Sequence, residues 1–193
     1  SSNSGLTKSN KKLIVSWNRL QVLKDLRFYQ VLPGLLASPF IVTGVFFHQI
    51  HLIETKSWSI TLLASSYPFF ALSVIGVTFG AGWIIDRFGT VHLLRFFLLP
   101  LAFGLILIAG TDKAFAIPIF MILMGASAGS ATILISTLWV ELYGINYIGS
   151  IRSMFFSMVV LATSISPALM GLLLDIGVTL EIQFIIFSIY IFI

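Results

Sequence analysis

The chain has 193 residues, of which 58% are hydrophobic and only 9% charged, and its mean hydropathy is +1.05. A soluble domain carries about 25% charged residues, so this chain lacks the polar surface to face water all round, and a water-soluble enzyme is excluded. The absence of cysteine removes disulfides, thiolate nucleophiles and cysteine metal sites, while the meaning of the net charge of +4 depends on where the charges fall.

Residues 1–27 read as a basic lead into the apolar part of the chain. Ser1 to Asn10 is polar and lacks both an initiator Met and the apolar core of a secretory signal, so the start is expected to lie inside a longer protein. Leu13, Trp17 and Leu20, with Lys12, Arg19 and Lys24 around them, fit a short basic amphipathic helix on a membrane surface or, equally, a solvated linker.

Long apolar runs without charge follow. A helix satisfies its own backbone hydrogen bonds, and about 20 helical residues cover the roughly 30 Å of a bilayer's hydrocarbon. The runs predict an all-α, polytopic transmembrane bundle over 28–193, with spans at about 28–53, 57–85, 91–110, 114–140 and 147–174. A sixth, 179–193, is about 15 residues and short of the usual ~17–25, so the chain is expected to stop inside a crossing.

The loops orient these spans. With a cytoplasmic N-terminus, the inner side carries Lys8, Lys11, Lys12, Arg19, Lys24, Arg27, Arg87, Arg95 and Arg152, and the outer side carries Lys56 and Lys113, which accounts for all 11 basic residues. Such an asymmetry is what the positive-inside rule describes, so the basic excess is topological and gives no support to nucleic-acid binding.

In the first span, Ala37, Ile41, Gly44, His48 and His51 recur at steps of four and three and share a face. His48 and Gln49 are the most polar residues well within a span and are the lead candidates for lining a solute path, and Pro33, Pro39 and Gly44 are expected to loosen that helix. The alternative is hydrogen bonding at the outer interface. No cofactor-binding or metal-ligating set emerges, because His48, His51 and Glu54 wind around the helix rather than converge.

Between the second and third spans the chain reads Gly82-Trp83-Ile84-Ile85-Asp86-Arg87-Phe88-Gly89. Gly89 suits a tight turn, Gly82 would admit a neighbouring helix, Asp86 could cap a nearby helix N-terminus, and Arg87 seeks a carboxylate. Such contacts, made only when two helix groups meet, are a possible latch.

This stretch resembles the loop of the major facilitator superfamily, Gly-x-x-x-Asp-Arg-x-Gly followed by basic residues, with Gly82, Asp86, Arg87 and Gly89 matching. The usual basic pair is replaced by Thr90 and Val91, with His92 and Arg95 nearby. The departure is common in the second copy of the motif, so the resemblance implies the C-terminal six-helix half, spans seven to eleven and a truncated twelfth, with the N-terminal half of the same chain missing. It further implies alternating access without catalytic residues, a small-molecule substrate and a lipid bilayer as partners, and a cytoplasmic N-terminal segment in a bacterial inner membrane. The connection from Trp139 through Glu141 to Ser150 and Arg152 strengthens the likeness. There Glu141 is the natural partner of Arg87 or Arg152, giving an expected inner charge cluster of Asp86, Arg87, Glu141 and Arg152. Together with Phe47-His48-Gln49, it also resembles the branch that carries monocarboxylates, oxalate and formate.

Span four holds Gly125-Ala126-Ser127-Ala128-Gly129-Ser130. The embedded Gly-x-Ser-x-Gly has the spacing of a serine-hydrolase elbow but not its strand-turn-helix setting, and close helix packing explains it better, as for Gly76 and Gly80 in span two. Ser127 and Ser130 remain candidates for facing a watery path. No Asp, Glu, Lys or Arg lies near the middle of any span, which leaves His48 as the only proton carrier in this half. A polytopic membrane enzyme or a structural or sensory subunit are the competing readings.

Overall fold

The computed structural model describes residues 17–193, so Leu13 and the lysines at 8, 11 and 12 lie outside the described residues. The helices are α1 (Arg19–Val22), α2 (Leu26–Thr55), α3 (Ile60–Phe88), α4 (Thr90–Phe96), α5 (Leu99–Gly110), α6 (Ala116–Tyr143), α7 (Ile148–Asp175) and α8 (Leu180–Phe192), with no strand among the described residues. Five segments are long and apolar enough to cross a membrane: α2, α3, α4 with α5, α6 and α7. The shortest has 21 residues, about 30 Å of helix.

Local chemistry sets the helix ends. Asp25 caps α2 by accepting the Arg27 N–H, Ser59 caps α3 through the Thr61 N–H, and Asn18 and Gln21 form a reciprocal capping box on α1. α3 ends at Gly89 (φ +84°) and α6 at Gly144 (φ +80°), positions where a side chain would strain the backbone. The third apolar run is split into α4 and α5, although the sequence shows one continuous stretch. Pro100 has no N–H, so the carbonyl of Phe96 loses its partner four residues on, and the helix restarts at Leu99.

α6 is the hub, packed against α3 on one side and α5 on another, while α2 pairs with α7 and α5 with α8. Between helices in lipid there is little hydrophobic gain, so close approach through small residues does the work. A Cβ on Gly125 would lie 2.6 Å from the Phe70 carbonyl oxygen, and one on Gly129 would lie 2.6 Å from that of Val74. The contact is reinforced by the Ser73 hydroxyl, which donates to the Ile122 carbonyl at 2.6 Å. Gly76, Gly80 and Gly82 make no such contact among the described residues, where a Cβ on any of them meets open space; the glycines that let α3 and α6 touch all come from α6. Gly44 also changes role. It presses on Met170 and Ser166 of α7, and the Ser166 hydroxyl donates to the Phe40 carbonyl at 2.6 Å, so it joins α2 to α7 rather than loosening α2, which runs unbroken past Pro33 and Pro39.

Many large apolar side chains stay exposed, among them Phe47, Leu72, Phe79, Val160, Leu161 and Leu172. In water such a surface would aggregate, whereas in hydrocarbon it costs nothing. The helices run alternately, so the starts of α2, α4 and α7 share one end of the bundle with the ends of α3, α6 and α8. That end carries Arg19, Lys24, Arg27, Arg87, Arg95 and Arg152 against Asp25, Asp86 and Glu141. The opposite end carries Lys56 and Lys113 against Glu54, Asp112, Asp175 and Glu181.

Candidate functional site

The residues expected to line a solute path fall on different contacts. His48 is half-buried on α2, with Nδ1 3.0 Å from the Gly44 carbonyl oxygen. A carbonyl can only accept, so Nδ1 carries the proton in the neutral ring and Nε2 is left as a free acceptor. Nε2 lies 3.6 Å from where a Cβ on Gly171 would stand, so the absence of a side chain there keeps room beside it. Gln49, one residue on, turns toward α3, where its Oε1 accepts the Tyr67 hydroxyl at 2.6 Å and Tyr67 stacks on Phe46. The adjacent pair therefore serves two different helix contacts.

Ser127 and Ser130 are buried in α6. The Ser130 hydroxyl donates to the Ala126 carbonyl at 2.9 Å, while that of Ser127 has no hydrogen-bond partner among the described residues. Hydroxyls reach the surface at Ser65 on α3, at Thr132 and Ser136 on α6, and in a row on α7, where Ser153, Ser157 and Ser164 are exposed and each donates to a carbonyl three or four residues back. Serine recurring at 153, 157 and 164 is a helical stripe that sequence reading passed over because every member is uncharged.

The charged residues at the basic end make contacts other than those expected. Glu141, in the last turn of α6, accepts a short hydrogen bond from the Thr90 hydroxyl at the start of α4. It thereby brings a carboxylate to a helix N-terminus that has no side-chain cap, the role anticipated for Asp86. Arg152 donates from Nη2 to the Ser136 carbonyl, tying α7 to α6. The Arg87 guanidinium rests 5.5 Å from the Trp83 ring centre and 5.7 Å from that of Phe88. Asp86 is exposed and joins no ion pair among the described residues. Within this chain, then, Glu141 pairs with neither Arg87 nor Arg152.

Beside them, the segment before α2 folds onto the bundle. The Trp17 N–H donates to the Tyr143 carbonyl at 3.1 Å, its ring lies 5.7 Å from that of Tyr143, and Val22 is buried. Phe28, Trp139, Tyr143 and Phe155 continue this aromatic packing, with Trp139 5.5 Å from Phe28 and 5.3 Å from Phe155. Leu20 is exposed, and among the described residues the helical stretch here is the single turn α1; the part of the expected amphipathic segment before Trp17 lies outside the described residues.

The ion network of the described residues stands at the acidic end. Lys56 Nζ is 2.9 Å from Asp112 Oδ1, 3.8 Å from Glu181 Oε1 and 3.0 Å from the Thr111 carbonyl oxygen, and the Trp58 indole donates to the Asp112 carbonyl at 2.7 Å. It fastens the α2–α3 turn to the α5–α6 loop and to α8.

Apolar crossing helices, charge confined to the two ends and interhelical contacts through small residues define an integral membrane helical bundle. The family model of the Major Facilitator Superfamily matches residues 2–189, and the chain belongs to that family. No curated protein matches the chain.

Proposed function

We propose that the chain is half of a secondary transporter, not an enzyme, which moves a small organic anion by alternating access. The observation that carries this reading is the α7 surface: Ser153, Ser157 and Ser164 line an exposed face, and His48 keeps Nε2 open beside Gly171 on the same helix. Hydroxyls paired only with their own backbone can re-aim toward a passing carboxylate, and lipid offers such groups no partner. α3 and α7, the two long helices with the least buried surface, would pack loosely against a second six-helix bundle and leave the path between them. His48 and Gln49 would serve the solute from α2, with Ser127 and Ser130 opening toward it if α6 shifts.

In the same reading the basic end is the cytoplasmic side of a bacterial inner membrane, with residues 1–27 as a cytoplasmic linker. Asp86, Arg87, Glu141 and Arg152, with the motif glycines Gly82 and Gly89, would bias which side is open, the carboxylates and guanidiniums finding partners on the other bundle.

The test is uptake of labelled monocarboxylates and dicarboxylates, with neutral sugars and amino acids as comparison, into proteoliposomes holding the full-length protein. Saturable uptake of a carboxylate, lost on changing Ser164 and Gly171 together to Leu, is the expected result. Saturable uptake of a neutral solute only, or carboxylate uptake indifferent to the double change, overturns the reading.

A further inference from the structure

At the basic end, a cavity of about 230 Å³ opens between α2, the α4–α5 break and α8. Two polar side chains, Gln30 and Arg95, stand in its wall; Val31, Leu98 and Ile191 are among the apolar residues that make up most of the rest. Arg95 is exposed and joins no ion pair among the described residues, whose pairs both belong to Lys56 at the other end. The break caused by Pro100 sets Arg95 on the last turn of the separate helix α4, and Gly34 on α2 leaves its part of the wall without a side chain, with nothing within 4 Å of where a Cβ would stand.

We propose that this groove seats one anionic phospholipid, its phosphate on the Arg95 guanidinium and the Gln30 amide and its acyl chain along Val31, Leu98 and Ile191. The charge argument comes first. An unpaired guanidinium at the membrane boundary recruits a phosphodiester, whose oxygens match its fork of donors, and basic pockets between transmembrane helices are where acidic headgroups are held. The apolar wall then decides between a lipid and a free anion, because a soluble phosphate would leave Leu98, Val31 and Ile191 facing water beside it. The surplus of cations at this end, six against three carboxylates among the described residues, favours the same sign of ligand.

The full-length protein, purified in detergent and offered phosphatidylglycerol or phosphatidylcholine with identical acyl chains, is examined by native mass spectrometry. Phosphatidylglycerol is expected to be retained about fivefold better, the preference one basic side chain gives near a membrane surface. Arg95→Gln removes the preference, whereas Arg19→Gln, an equal change of charge at the same end outside the groove, keeps it. Gly34→Leu fills the groove without touching charge and lowers retention of phosphatidylglycerol as well, with unfolding temperature checked for every variant. Equal retention of the two lipids, loss of preference in Arg19→Gln as large as in Arg95→Gln, or full retention in Gly34→Leu would each overturn the proposal. Displacement of the lipid by soluble glycerol phosphate at comparable concentration would assign the groove to a free anion instead.

Discussion

Lys56 Nζ stands 2.9 Å from Asp112 Oδ1, yet the lysine side chain is 3% exposed and the aspartate side chain 89% exposed. The two ends of this pair therefore contribute differently. The ammonium is shielded, sits 5.4 Å from the Trp58 ring centre and also donates to the Thr111 carbonyl, whereas the carboxylate is open to water and screened. Removing the cation takes several contacts at once and leaves Glu181 without its partner.

Lys56→Met is expected to destabilise the protein by about 2 kcal/mol, the scale of a charged hydrogen bond, and Asp112→Asn by less than about 1 kcal/mol. Thermal unfolding followed by tryptophan emission reads both, since Trp58 lies within the clasp. Equal losses from the two changes would show that the pair acts as one surface ion pair.

Gly125→Ala and Gly129→Ala each drive a methyl group to 2.6 Å from a carbonyl oxygen of α3. Backbone cannot swing aside as a side-chain tip can, so both are expected to lower the yield of folded protein and the unfolding temperature by several degrees. Gly76→Ala and Gly80→Ala meet open space among the described residues and are expected to leave the contact between α3 and α6 intact, with a cost smaller than that of the α6 changes. Size-exclusion profiles and unfolding temperatures of the four variants should separate into these two groups, and a single group would contradict the packing argument.

Glu141→Gln keeps an acceptor for Thr90 but removes the charge at the start of α4, and Glu141→Ala removes both. Stability is expected to fall by about 0.5 kcal/mol in the first and about 1–2 kcal/mol in the second. This chain contains no cysteine, so once any cysteine elsewhere in the full-length protein is replaced, a single cysteine placed at Ser157 reports opening of the α7 face by its rate of alkylation. A change in that rate on Glu141→Gln, with stability nearly preserved, is expected if the carboxylate helps to set which side is open. An unchanged rate would reduce Glu141 to a helix anchor.

If His48 takes part in coupling, as its open ring nitrogen beside Gly171 and the lack of a carboxylate or cation near mid-span suggest, His48→Ala abolishes pH-dependent accumulation of solute while leaving downhill exchange intact. Accumulation against a gradient is measured across external pH in proteoliposomes, with exchange as the control. Pre-serving of the pH dependence in the variant would remove His48 from coupling.

The membrane class, the all-α fold and the family were legible in the sequence, since each rests on features local to the chain. Long uncharged runs need a bilayer whatever they pack against, and Gly82, Asp86, Arg87 and Gly89 form a continuous motif. Pairing of side chains across helices was not legible. Glu141 and Arg152 are eleven residues apart in sequence, and helix geometry alone allowed them to meet, but rotation of α6 and α7 sends one to Thr90 and the other to the Ser136 carbonyl. Likewise, glycines at 76, 80, 125 and 129 look alike along the chain, and only the crossing of α3 and α6 makes two of them indispensable contacts and leaves the others in open space. Hydropathy and helix ends are set by each segment's own composition, whereas partners depend on how far each helix is turned about its axis, which interhelical packing alone decides.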